Sequence, residues 1–273
     1  MVFMNKKLLW LALLPTLLQG CHILKEPENI IKEKQKTTLT HSNLCLLNTC
    51  PTGYSPKDQI ANHKIIILAN NPESKFADWV AYIVRPDYIN GPSQKRKWQR
   101  DPTLPENSTL PPSAYKGVNT LFNVDRGHQA PLGSFKGADN YYVTNYLSNI
   151  TPQQSKLNQG PWKRLENAVR TYAEKYGSVY VITGPYYEKD QKPVKSFPNY
   201  SETLMIPQGY FKVIATIKKD GIYASTFIMP QTATNKTHYC DTVSSLEEVH
   251  NLTQGLTVLA KKPVGNLNKL LGC

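Results

Sequence analysis

Val124-Asp125-Arg126-Gly127-His128-Gln129-Ala130-Pro131 is the stretch around which the chain organises itself. It is followed by Asn145-Tyr146-Leu147-Ser148-Asn149-Ile150-Thr151-Pro152-Gln153 and by Asn158-Gln159-Gly160-Pro161-Trp162, with Glu166 one turn further on. His128 carries the ring that titrates nearest neutral pH, which makes it the candidate general base for a hydrolytic reaction. A lone histidine is more often a core residue satisfied by backbone bonds, so its neighbours decide. Asn158 stands just before a Pro-started helix, where an asparagine by itself is more often a cap than a metal ligand. Glu166 either faces a site with Asn158 or pairs with Arg170 four residues on, an exposed pair worth only about 0.3–0.5 kcal/mol. Spacing does not separate those two readings.

Outward from this stretch, two helices are expected. One covers residues 161–176, with Pro161 at its first position, an apolar stripe at Trp162, Leu165, Val169, Tyr172 and Tyr176, and Gly177 as its stop. The other begins at Ser244-Ser245-Leu246-Glu247, read as a capping box, and ends near Gly255. Strand-type runs fall at 64–69, 79–84, 179–183, 210–218 and 222–229, the last two joined at Asp220-Gly221, a hairpin signal. Residues 86–112 read as a long Pro-rich loop, uncommon in a compact domain unless functional. Strands and helices mixed without a βαβ rhythm give an α+β class.

The 273 residues carry a formal charge of +12, which points to a polyanionic partner, although anionic lipid or mere solubility would suit it too. Residues 1–20 have the form of an export signal: Lys6 and Lys7, an apolar run from Leu8, then Gly20 before Cys21. That run is too short to span a bilayer comfortably. Its end resembles a lipobox with Cys21 as the lipidated first mature residue; plain cleavage and full secretion is the alternative. Residues 21–43 read as a solvated tether, and 44–273 as one domain. Cys45, Cys50, Cys240 and Cys273 are an even set in an exported chain, expected to pair as Cys45–Cys50 and Cys240–Cys273. The larger loop would contribute about 3–4 kcal/mol and the smaller nearer 2. A zinc site is the rival for the first pair, but no histidine lies at finger spacing from it.

Taken together, these motifs resemble the DNA/RNA non-specific endonuclease family of the ββα-metal superfamily. The likeness runs from about Cys45 to Cys273 and includes Lys75-Phe76-Ala77-Asp78-Trp79-Val80-Ala81-Tyr82, Arg96-Lys97-Trp98, Thr183-Gly184-Pro185 and both expected disulfides. It implies a ββα-metal nuclease core on a central antiparallel sheet flanked by helices. It implies a magnesium-dependent endonuclease, with manganese as a substitute, that hydrolyses DNA and RNA to 5′-phosphate products, binding mainly through the phosphate backbone and without base specificity. On this resemblance His128 is the general base and Asn158 the one direct protein ligand of Mg²⁺. Glu166 holds water around the metal, Arg126 and Arg96 contact phosphate, Asn149 positions the catalytic segment or substrate, Asp125 orients, and Gly127 permits a tight backbone path. Family members can form homodimers. A catalytically inactive, lipid-anchored nucleic-acid-binding protein on the same scaffold is the alternative, and hydrolysis of another phosphodiester stays open. Export to the cell envelope, with the membrane reached only through a lipid on Cys21, completes the expectation.

Overall fold

The computed structural model describes residues 40–193 and 197–273. The expected leader, Cys21 and nearly all of the expected tether lie outside the described residues. Among the described residues no helix is long and apolar enough to cross a membrane.

In chain order the elements are β1 (Gln59–Asn62), β2 (Ile66–Asn71), β3 (Phe76–Val84), α1 (Pro86–Ile89), α2 (Val118–Phe122), β4 (Val124–His128), β5 (Ile150–Gln154), α3 (Ser155–Leu157), α4 (Lys163–Tyr176), β6 (Val179–Tyr186), β7 (Gly209–Lys218), β8 (Gly221–Pro230), β9 (Val243–Ser244) and α5 (Leu246–Leu252). Seven strands form one antiparallel sheet in the order β1-β2-β3-β6-β7-β8-β9, while β4 and β5 pair separately. The α+β expectation holds.

The large sheet is covered on both faces, so its central strands read as nearly unbroken apolar runs. Side chains alternate across β3: Val80, Tyr82 and Val84 face the core containing α4, and Trp79 and Ala81 face the core containing Val249 of α5 and the Cys45–Cys50 loop. On α4, Leu165, Val169, Tyr172 and Ala173 recur at helical spacing and are buried. Tyr176, expected in that stripe, is instead 47% exposed and packs on Tyr172 at a ring separation of 5.1 Å.

The helix expected to start at Pro161 starts differently. A helical passage begins at α3, widens into a π-type turn over Asn158–Trp162, and becomes regular only at Lys163. Pro161 lacks the N–H that would close the turn, and Gly160 leaves helical space at φ −98°, ψ −115°. Gly177 ends the helix as expected, at φ 94° with its N–H on Ala173 O. The cap of α5 is Ser245, whose Oγ accepts from Glu248 N at 3.0 Å; Ser244 is taken by β9, where it pairs with Thr226. The 86–112 stretch is long but tethered, carrying α1 and short 3₁₀ turns. Both expected disulfides are present, Cys45–Cys50 and Cys240–Cys273, with Cα separations of 5.0 and 5.4 Å.

Candidate active site

Register fixes the heart of the site. In the β4–β5 pair, Asp125 lies opposite Gln153 and His128 opposite Ile150, and the chain then turns directly into α3. Gly127 is required at this crossing because a Cβ there would sit 2.6 Å from the Gln153 side chain of β5.

Asp125 uses both carboxylate oxygens as acceptors. Oδ1 accepts from Asn119 Nδ2 at 2.6 Å and Ser155 Oγ at 2.8 Å, while Oδ2 accepts from Asn158 Nδ2 at 2.8 Å and Gln159 Nε2 at 2.9 Å. A carboxylate with four donors has little left to offer anything else, so Asp125 orients its neighbours. Its hold on Asn158 Nδ2 leaves the Asn158 carbonyl oxygen as that side chain's remaining polar end.

His128 Nε2 lies 3.2 Å from Asn145 Oδ1, and its ring packs against Trp98 at 5.3 Å between centroids. It is half-buried and lines a pocket of about 760 Å³. Desolvation pushes its pKa down to about 4; the bond to Asn145 works against that shift and the charge of Arg96 works with it.

Two arginines share this pocket. The Arg126 guanidinium lies between the rings of Trp98 and Tyr115, 5.4 and 5.3 Å from their centroids, and donates from Nη2 to Pro112 O at 3.3 Å. Its buried Nε has no protein acceptor. Arg96 also lines the pocket, whereas Arg100, from the same basic run, turns inward to the carbonyls of Glu106 and Thr109. The loop bearing Arg96 and Trp98 is anchored through Asp101, whose Oδ2 meets His63 Nε2 at 2.8 Å and Ser148 Oγ at 2.7 Å.

Glu166 lines the same pocket. Burial raises its pKa, opposed by the charges of Lys212 and Arg170. The surface pair with Arg170 is not made: Arg170 donates instead to Ser134 Oγ and Asn167 Oδ1. Arg96, Arg126, Lys163 and Arg170 outnumber Asp125 and Glu166 along the walls, so the cavity favours an anion.

Asn149 is brought near but not in. It is fully buried, with Oδ1 accepting from Ala130 N at 2.9 Å and Nδ2 donating to Ala130 O at 2.9 Å and Thr144 O at 2.8 Å. Through these bonds Asn149 clamps the backbone that follows His128.

Residues 47–264 match the family model described as DNA/RNA non-specific endonuclease. The chain belongs to the DNA/RNA non-specific endonuclease family. This endonuclease is 38% identical over 237 residues to the nuclease of Serratia marcescens, covering 82% of the chain and 87% of that relative. It is 30% identical over 218 residues to nuclease C1 of Cunninghamella echinulata var. echinulata, covering 75% of the chain and 84% of the relative. Its fold resembles that of a chain in the crystal structure of the EndoG/EndoGI complex, with TM-score 0.65, 23% identity, and coverage of 78% of this chain and 92% of that one.

Two residues of the endonuclease site carry no assigned role from sequence. Asn145, quoted within the second motif, proves to be the partner of His128. Lys212 is fully buried behind the pocket, with Nζ 3.2 Å from Tyr82 Oη and 4.4 Å from the Trp162 ring centroid. Burial lowers its pKa to about 8, against the charge of Glu166. The available signal was a lysine inside the apolar run Tyr210-Phe211-Lys212-Val213-Ile214.

The donor set fits a hard, hydrated cation. Among the described residues no group of three or more His, Cys, Asp or Glu side chains could cage a metal. What the pocket does offer is the Asn158 carbonyl, oriented by Asp125, together with the Glu166 carboxylate, a sparse oxygen set of the kind that leaves most positions to water.

Proposed function

We propose that this endonuclease hydrolyses phosphodiester bonds of DNA and RNA alike, with Mg²⁺ as its cation, Asn158 as the direct protein ligand and His128 as general base. The observation that carries the reading is the convergence in one pocket of a low-pKa histidine, two arginines and an amide oxygen oriented by Asp125.

With Asn145 Oδ1 accepting from Nε2–H, the neutral ring keeps its Nδ1 lone pair free to take a proton. His128 then removes a proton from a water as that water attacks phosphorus, the P–O3′ bond breaks, and the leaving 3′ oxygen takes a proton from solvent, giving a 3′-hydroxyl and a 5′-phosphate. Arg126 and Arg96 donate to the phosphoryl oxygens, on which charge grows as the fifth bond forms. When bound, Mg²⁺ would add Lewis-acid stabilisation of that charge. Asn158 and Glu166 would hold the cation, and Asp125 would keep Asn158 aimed. No group in this scheme needs a 2′-hydroxyl or a base edge, which supports cutting of both nucleic acids without base preference and a steep loss of binding with salt.

The test uses supercoiled plasmid and total RNA, with Mg²⁺ and with chelator, and His128→Ala beside the parent. Degradation of both by the parent, stopped by chelator and by the substitution while binding persists, is expected. Binding without cutting under Mg²⁺ or Mn²⁺ would sink the reading.

We further propose that residues 1–20 direct export, in keeping with the two disulfides, that residues 21–43 are a tether, and that Cys21 carries a lipid. Metabolic labelling with a fatty acid, lost in Cys21→Ser, is expected; an unlabelled parent found in the medium would favour plain secretion.

A further inference from the structure

The segment that leads into the catalytic strand carries two large apolar side chains in the open. Leu121 is 62% exposed and Phe122 50% exposed, side by side at the end of α2. They are presented on a fixed support. Val118 of the same turn is fully buried in the core beneath it. Beyond Phe122 the chain is closed by Asn123, whose N–H bonds to Asn119 O at 2.9 Å and whose carbonyl accepts from Ser155 N at 2.7 Å. Among the described residues neither side chain is buried in a core cluster.

Their position gives them a use. Tyr115 and Asn119, just upstream, line the pocket, and β4 carries the chain from Val124 to His128. Six residues separate Phe122 from His128, a reach of at most about 20 Å. At about 3.4 Å per stacked nucleotide, that is within roughly six nucleotides of the bond being cut. From Tyr115 to Val124 there is no acidic residue; exposed Lys116 lies in that stretch, exposed Lys156 directly follows Ser155, which bonds to Asn123, and Asp125, the first acid after the stretch, has both carboxylate oxygens engaged by Asn119, Ser155, Asn158 and Gln159. The apolar pair thus lies in the chain between pocket-lining Asn119 and Val124, two positions from the latter and so within about 7 Å of it along the backbone.

We propose that Leu121 and Phe122 form a base-stacking subsite for the substrate strand, outside the pocket that holds the scissile phosphate. The proposal rests on the reading of that pocket given above. Every base has a π-face, so a phenyl platform gains affinity without selecting sequence, in keeping with a family whose description is non-specific. Leu121 sits beside the ring as an apolar shoulder that fills the gap between neighbouring bases.

The experiment compares the parent with Phe122→Ala, Leu121→Ala and Phe122→Trp on a short single-stranded oligonucleotide and on bis(4-nitrophenyl) phosphate, which has no base. Phe122→Ala should raise KM for the oligonucleotide about tenfold with kcat nearly unchanged, leave the base-free ester untouched, and be rescued by Phe122→Trp. In a His128→Ala background, fluorescence anisotropy should show the same loss of affinity for the oligonucleotide and none for an abasic strand of equal length. Unchanged KM and affinity would overturn the subsite, as would an equal loss on the abasic strand. So would a dimer that Phe122→Ala converts to monomer without any effect on KM, because a second copy would then cover the pair. If the parent cuts neither substrate, the pocket reading fails, while the anisotropy comparison still decides the subsite.

Discussion

Replacing Asp125 separates the charge of that carboxylate from its bonding. Asp125 accepts four hydrogen bonds, two on each oxygen, and one of them orients Asn158. Asparagine fits the same space but offers one oxygen and one NH₂ group. With the NH₂ at the Oδ1 position, it meets Ser155, whose hydroxyl turns to accept, and exposed Asn119, which swings away; the bonds to Asn158 and Gln159 survive. Alanine removes all four. Groups that orient a metal ligand typically change metal affinity or activity about 10–100-fold, or about 1.4–2.7 kcal/mol, when removed. Asp125→Asn, which loses the charge but keeps the aim, belongs near the lower end, and Asp125→Ala near the upper. The assay is the Mg²⁺ concentration giving half the maximal rate on a fluorescent duplex, with Mn²⁺ binding followed by electron paramagnetic resonance in the absence of substrate. Parent, Asn and Ala variants should rank in that order by both measures. Identical half-saturation and identical Mn²⁺ binding across all three would refute the idea that Asp125 serves the cation through Asn158.

Four further outcomes are expected. With the His128 pKa lowered to about 4, the acid limb of kcat/KM should have its midpoint below 6.5, the value of an unshifted imidazole; a midpoint at or above 6.5 would contradict a desolvated base. Asn145→Ala should cut kcat by about tenfold or more with little change in KM, measured by single-turnover cleavage, because His128 loses the acceptor that fixes its tautomer. Asp58, raised to about 9 by burial and then by Asp78, binds its proton more tightly folded than unfolded, so its contribution to stability fades as pH rises from about 4 towards 9. Asp58→Asn should therefore raise Tm more at pH 8.5 than at pH 5, by roughly 2–4 °C for about 1 kcal/mol once solvent screening of this part-exposed pair is allowed for. Opening Cys240–Cys273, which spans 33 residues, should cost about 3–4 kcal/mol in guanidinium unfolding, and opening Cys45–Cys50, which spans 5, nearer 2.

What could be read from the chain depended on how far apart the cooperating residues lie. Within residues 124–166, reactive side chains and their spacing survive in the linear sequence, and six of the residues picked there or in the Arg96 run share the pocket: His128, Arg126, Asp125, Arg96, Asn158 and Glu166. Leu165, Val169 and Tyr172 announced a helix because its buried face repeats every three to four residues. Its kinked start was harder to see, since Pro161 signals a first turn whether or not a helical passage precedes it. The five residues of α2 are too few for any period to emerge, and β1, Gln59–Asn62, has only one buried residue in four. The clasp of His63, Asp101 and Ser148 joins positions 38 and 47 apart, with no local signature at any of them. Asn145 and Asn149 look alike in sequence, yet one serves the histidine ring and the other the main chain. Only the bend between them sorts their roles.

The wide turn at Asn158–Trp162 amounts to a phase setting. Each residue of an α-helix advances the azimuth by about 100°, so removing Pro161, the residue that cannot close the turn, would let the passage close into ordinary helix from Ser155 onward, and would swing Asn158 about 100° around the axis relative to Glu166. The shortened chain would have a more regular helix and a disconnected site. Length in this segment is therefore expected to tolerate exchange of side chains better than the loss or gain of a single position.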